Sequence, residues 1–323
     1  MKCIDAFKNL NILNYNNALS VSPCCISHTR PAESIDFQNN DYLNDVRETW
    51  KLGEFPAACQ VCRHSEVTGT SRRIGVNEWY ENNGYNNTTV ELVKLDYWTG
   101  DICNLRCAIC GPKNSSAWKE ELKLPVKQSV VNRFWTTLDL STLRFVHFNG
   151  GEPLLSKEHV VFLKDLPNKN LVTINYNTNG TVKPSAELLE LWQQFHLVQL
   201  DFSIDDIEER FEYQRYPARW SEVTDNLKWY IDNSPTNCMF AVNTSVGILN
   251  YANLINLNSW LRHNFAVSRV GDAIEHRQQP VNGIFSLDNA VNRQKSIVKF
   301  LDDCDSRRGT NWRTVFPELV QSI

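Results

Sequence analysis

Between residues 91 and 270, short apolar runs alternate with amphipathic ones, and this alternation constrains the fold more than any other feature. Glu91–Tyr97, Leu143–Phe148, Leu171–Asn177, Leu197–Phe202, Met239–Val246 and Ala266–Val270 are short and rich in branched or aromatic side chains, which predicts strands. Helical spacing between them predicts helices near Ser115–Thr136, Ser156–Leu166, from Pro184 through Trp192, Ser221–Tyr230 and Tyr251–Arg262. Consecutive parallel strands need crossovers, and crossovers are right-handed, so the pattern reads as an α/β chain with a parallel sheet covered by helices. A doubly wound sheet and a barrel satisfy it equally. Three polar motifs follow strands directly: Gly150-Gly151-Glu152-Pro153, Asn177-Thr178-Asn179-Gly180 and Ser203-Ile204-Asp205. Such folds bind ligands at the carboxyl ends of their strands. Residues 1–85 read as irregular apart from a helix over Asp41–Leu52, stopped by Gly53, and the last fifty residues show no clear pattern.

The cysteines add chemistry to this frame. Eight of ten precede residue 111: Cys3, Cys24, Cys25, Cys59, Cys62, Cys103, Cys107 and Cys110. No secretory signal or bilayer-length apolar run is apparent, so a cytoplasmic location and free thiols are expected. Clustered free thiols suggest metal sites. Cys103-Asn-Leu-Arg-Cys107-Ala-Ile-Cys110 places three thiolates in one loop after a strand. Three soft ligands can hold three irons of a 4Fe-4S cube and leave the fourth open; a zinc site with a distant fourth ligand competes. Cys59 and Cys62 form a chelating turn. With Cys3 and one of the adjacent pair Cys24 and Cys25, they make a closed four-thiolate set for zinc or for an iron–sulfur cube. Cys25 is preferred over Cys24. His28 and His64 read as ordinary surface or core residues. Arg72 and Arg73 offset cluster charge, bind a substrate carboxylate or serve the surface. Cys238 reads as buried packing. Cys304 is a hydrogen-atom donor only if the tail folds over the mouth of the sheet.

The cysteine triad and the three strand-end motifs together resemble the signature of the radical S-adenosylmethionine (SAM) enzymes, over about residues 90–270. The resemblance implies that Cys103, Cys107 and Cys110 hold a 4Fe-4S cluster and that Ile109 lies against the adenine of SAM. Gly150 and Gly151 would meet its methionine end, with Glu152 either accepting the amino group or capping the next helix. Asn179 belongs to the third-strand ending. Ser203 and Asp205 would bond the ribose hydroxyls or cap a turn, and Asn243 reaches the cofactor or packs. Gly53, Pro56, Cys59 and Cys62 after a short helix resemble the auxiliary-cluster region of SPASM and twitch proteins, here placed before the catalytic domain. The implied fold is a partial (β/α)6 TIM-like barrel over 90–270, a small irregular cluster-binding region over 1–85, and a C-terminal extension over 271–323. The implied activity is reductive cleavage of SAM to a 5′-deoxyadenosyl radical that takes a hydrogen atom from a peptide. The alternatives are a small molecule or nucleotide substrate and, outside enzymes, a zinc-bound interaction module. An external reductant of flavodoxin or ferredoxin type is implied. A net charge of -4 and the lack of a lysine-rich stripe argue against a long nucleic-acid partner.

Overall fold

Alternation of buried and half-buried side chains sets each strand in a computed structural model of the chain, an α/β protein with a mixed sheet. The structure describes residues 2–15, 18–32, 35–67, 69, 71–126, 132–265, 275–280, 285–287 and 294–322. The chain divides into two compact units, one of residues 1–101, 127–176 and 194–198, the other of residues 102–126, 177–193 and 199–323.

In the first unit the strands are β1 (Asn9–Tyr15), β2 (Ala18–Ser22), β3 (Arg30–Pro31), β4 (Lys94–Trp98), β5 (Phe145–Asn149) and β6 (Thr173–Thr178), in the order β3-β2-β1-β4-β5-β6. The pairs β1–β4, β4–β5 and β5–β6 are parallel, while β1–β2 and β2–β3 are antiparallel. Register aligns Asn11, Asp96, His147 and Asn175 across four strands. Side chains alternate between faces along a strand. One face is therefore apolar, with Leu10, Ile12, Leu95, Tyr97, Val146, Phe148, Ile174 and Tyr176 buried. Phe162 of the helix Lys157–Asp165 packs on it, its ring 5.7 Å from Tyr97 and 6.0 Å from Phe148. The opposite face is polar. Residues 1–85 are thus not irregular: β1 extends the parallel sheet beside β4. Helices also form at Gln60–Glu66 and Arg72–Asn82, besides the expected one at Asp41–Lys51.

The second unit holds β7 (Leu197–Ser203), β8 (Cys238–Val246) and β9 (Glu275–Pro280), in that order, with β8 and β9 parallel. The expected strand at 266–270 lies outside the described residues. The helix expected over Ser115–Thr136 spans only Ser116–Glu121. Lys123 then adopts a left-handed φ of 54° and Pro125 follows, which ends helical hydrogen bonding. The tail is ordered into a helix, Gln294–Arg308. Its Ile297 and Leu301, with Trp312, Phe316 and Leu319, pack against Ala108, Tyr213, Ile248 and Leu249. Among the described residues no helix is long and apolar enough to cross a membrane.

Under the apolar face, His159 is buried against Phe148 and Tyr176. Burial holds its imidazole down at about 4, from the usual 6.5. The folded state favours the neutral ring, whereas the unfolded chain takes up a proton below that usual value. Stability is therefore expected to fall as pH drops from 6.5 toward 4, by about 3 kcal/mol at the acid end. Urea unfolding across that range should show a smaller fall in His159→Phe.

Candidate functional site

The cysteine loop is stitched at both ends by its neighbours. Ser115 caps the helix Ser116–Glu121 by accepting from the Trp118 N–H at 3.2 Å, and its hydroxyl donates to the Leu105 carbonyl at 2.6 Å. Ser116 Oγ accepts from the Cys103 N–H at 3.1 Å, and Trp118 Nε1 donates to the Cys107 carbonyl at 3.0 Å. On the other side, the N–H groups of Arg106 and Ala108 donate to the carbonyls of Tyr216 and Gln214 at 2.6 and 2.7 Å. Cys103 Sγ accepts from the Leu105 N–H at 3.4 Å and lies 3.9 Å from Asn179 Nδ2. Burial pushes the Cys107 and Cys110 thiols up, and the Arg215 guanidinium opposes it at both. Arg215 is itself buried, with Nη2 2.8 Å from Asp205 Oδ2. Among the described residues no three His, Cys, Asp or Glu side chains are already closed into a metal-ligand set. The thiols share a loop and a counter-charge, not a completed polyhedron.

In the same unit, Asn179 ties the end of β6 to this loop. Its Nδ2 donates to Asn104 Oδ1 at 2.9 Å, and its Oδ1 accepts from the Thr181 N–H at 2.9 Å. Asp205 Oδ1 accepts from the Ser245 N–H at 2.8 Å, and its Oδ2 faces the Arg215 guanidinium. Ser203 is half-buried at the end of β7. Asn243 donates to Asn177 at 3.2 Å and Asp201 at 3.3 Å, while its Oδ1 is buried without a partner among the described residues. Ile109 packs on the apolar cluster built by the tail. Cys304 is buried, with Arg307 Nη2 donating to its Sγ at 3.5 Å. Cys238 is buried at the start of β8, as expected of packing.

In the first unit, Gly150 follows β5 with a φ of 137°, and a Cβ there would stand 2.7 Å from the Gly100 carbonyl oxygen. Gly151 N–H donates to that same oxygen at 2.9 Å. Only glycine permits so close a crossing in that conformation. Glu152 is buried and accepts from the Leu154 N–H at 3.1 Å, which caps the turn Pro153–Leu155. The N-terminal thiols also gather here. The turn Ala57–Cys59 and the helix Gln60–Glu66 carry Cys59 and Cys62, and the His28 N–H donates to the Ala58 carbonyl at 3.2 Å, which draws the Cys24–Cys25 turn alongside. Burial pushes Cys3 well up, and Asp5, Cys24 and Cys59 add to it. Burial raises Cys59 to about 12, with Cys24 and Cys62 adding. Cys3, Cys24, Cys59 and Cys62 therefore sense one another. Cys25 is an exposed residue whose thiol is raised to about 11 by burial, with Arg72 opposing and Asp96 and Cys24 adding. His64 is held by the Gln60 carbonyl at 2.8 Å.

Residues 99–251 match the profile described as the Radical SAM superfamily. That match covers 153 of the chain's 323 residues. A comparison with curated proteins finds no match. Among solved structures, the chain is similar to one described as native anSMEcpe with bound AdoMet, with a TM-score of 0.41 and 14% identity over 68% of this chain and 63% of that one. It thus spans less than two thirds of that protein's length. It is also similar to SuiB of Streptococcus suis bound to S-adenosylmethionine, with a TM-score of 0.41 and 11% identity over 96% of this chain and 73% of that one. Likenesses at this level fix neither substrate nor site.

Arg215 is a residue of this candidate site that sequence reading missed. A lone arginine after a tyrosine and a glutamine carries no spacing signal, and only the folded chain reveals its burial beside two thiols. Asp205→Ala leaves that guanidinium buried without its partner, and is expected to cost about 3 kcal/mol or more in urea unfolding. Gly150→Ala forces both a clash and a disfavoured backbone, and is expected to lower stability by about 2 kcal/mol or more. A thermal scan of that variant checks it.

Proposed function

We propose that this chain is a radical SAM oxidoreductase holding a 4Fe-4S cluster on Cys103, Cys107 and Cys110 and a second one on Cys3, Cys24, Cys59 and Cys62. The observation that carries the reading is the cysteine loop: three thiols outside any disulfide, in a loop pinned through backbone and side-chain hydrogen bonds, with one buried guanidinium facing two of them. The donor chemistry fits. Thiolates are soft ligands suited to iron, and a fixed positive charge favours their deprotonated form. Bound to such a triad, a 4Fe-4S cluster with an open iron supplies the electron that splits SAM into methionine and a 5′-deoxyadenosyl radical. The chain's own part is positional. Asn179 holds the Cys103 end of the loop, Trp118 the Cys107 carbonyl, and Asp205 keeps Arg215 in place. Asn243 Oδ1 offers a spare acceptor on β8. A partial (β/α)6 barrel over 90–270, with residues 1–85 carrying the second cluster, is the matching domain plan.

Cys24 replaces Cys25 as the fourth ligand of the second cluster. The reasons are its burial and its coupling to Cys3 and Cys59; Arg72 acts on both adjacent thiols, but Cys25 is the exposed residue of the two. A peptide is the favoured substrate, a small molecule or nucleotide the other reading. The peptide-bound form of anSMEcpe supports no more than the plausibility of the first.

Anaerobically purified protein should contain roughly eight irons and eight sulfides. Cys24→Ala is expected to lose about half of them and Cys25→Ala to keep all. Cys107→Ala should abolish release of 5′-deoxyadenosine from SAM in the reduced protein. A colourless chain with tightly bound zinc would favour the interaction-module reading instead.

A further inference from the structure

The polar face of β1, β4 and β5 carries a group of charges that the cluster chemistry does not use. Register sets Asn9 beside Lys94 and Asp96 beside His147, so these side chains rise from one face. Arg72, at the start of the helix Arg72–Asn82, joins them through Asp5, a carboxylate that senses both Arg72 and Lys94. The carboxylates are sealed, with Asp96 1% and Asp5 2% exposed. The cations are not: the side chains of Lys94 and Arg72 are 18% and 29% exposed, and the His147 side chain beside them is 28% exposed.

The pairs in this group are long. Lys94 Nζ lies 3.5 Å from Asp96, His147 Nδ1 lies 3.4 Å from Asp96, and Arg72 Nη2 lies 3.5 Å from Asp5. Settled pairs in the same chain close up: Arg73 to Glu66 at 2.7 Å and Arg210 to Asp206 at 3.0 Å, near the distance expected of charge-assisted bonds. Donors are left over as well. Arg72 Nε is buried without an acceptor among the described residues, and the Lys94 ammonium comes no nearer to Asp96 than 3.5 Å. Buried unpaired donors on charged groups cost free energy until something accepts from them. Fixed carboxylates behind, and partly desolvated cations with spare donors in front, make a receptor for negative charge.

We propose that Arg72 and Lys94 bind an anionic group, carboxylate or phosphate, of the molecule on which this enzyme acts. The site adjoins the N-terminal thiols. Asn9 Nδ2 donates both to Asp96 Oδ2 and to the Pro23 carbonyl at 3.0 Å, which anchors the turn carrying Cys24 and Cys25 beside it. That the anion belongs to a substrate rests on the radical SAM reading above; the binding itself does not.

The test is calorimetric titration of the anaerobically purified chain with inorganic phosphate and, separately, with succinate, at ionic strength held constant with sodium chloride. Saturable binding of at least one anion is expected, weakened about tenfold or more in Lys94→Met and in Arg72→Gln. Tighter phosphate binding identifies a phosphorylated ligand, and tighter succinate binding a carboxylate. Should Lys94→Met unfold in urea far below wild type, Arg72→Gln alone decides. No saturable binding to wild type overturns the site, as does equal affinity in the variants; the cations would then serve only the charge of the thiols. SAM cleavage is read on the same preparations. Intact cleavage without anion binding refutes this site alone, and anion binding without cleavage refutes the catalytic reading alone.

Discussion

The arrangement around the cysteine loop depends on one buried ion pair, Arg215 with Asp205. Burying two charges carries a desolvation penalty that their mutual attraction rarely exceeds. This pair has further partners that help meet it: the Ser245 N–H on the Asp205 side, and the thiols of Cys107 and Cys110 on the Arg215 side. The pair therefore does something for the thiols that a hydrophobic pair of equal volume could not. It holds a fixed positive charge beside two of the loop's thiols. The backbone contacts of Arg106 and Ala108 with Tyr216 and Gln214 fix the loop to the same segment that presents Arg215. Position and electrostatics come from one stretch of chain.

The tail reinforces this from the other side. Arg308 is buried, its Nη2 donates to the Arg106 carbonyl at 3.1 Å, and its guanidinium lies 4.6 Å from the Trp118 ring centroid. Trp118 in turn holds the Cys107 carbonyl. The loop that carries the thiols is therefore clasped between the segment after β7 and the C-terminal helix. The first unit follows a different logic. Its sheet has one apolar face, which supplies the core, and one polar face, where Lys94, Asp96 and His147 stand close to the N-terminal thiols.

The sequence made β4, β5, β6, β7 and β8 legible to within a few residues, because branched and aromatic side chains alternate along them. It hid β1 for a physical reason. Asn9, Asn11 and Asn14 are poor strand formers, yet Asn9 and Asn11 belong on the polar face, while Leu10 and Ile12 supply the apolar one and Asn14 at its end bonds Glu158. The alternation was present, but asparagine made it look like a loop. The C-terminal helix had a readable signal in Ile297, Leu301 and Cys304, spaced four and three apart and all buried, interrupted by charges that face outward. The choice between Cys24 and Cys25 was not legible, since adjacent residues differ only in which way the folded turn points them. Arg215 and the stretched pairs of Lys94 and Arg72 were equally hidden, because burial and distance arise only from tertiary packing.

The central claim is that the shortfall of one ligand at Cys103, Cys107 and Cys110 leaves an iron open to SAM. Electron–nuclear double resonance on the reduced protein, mixed with SAM isotopically labelled at its amino nitrogen, tests this most directly. The account expects a cluster signal coupled to the label, lost in Cys107→Ala. A cluster signal without that coupling, or a reduced protein with no cluster signal at all, would contradict it.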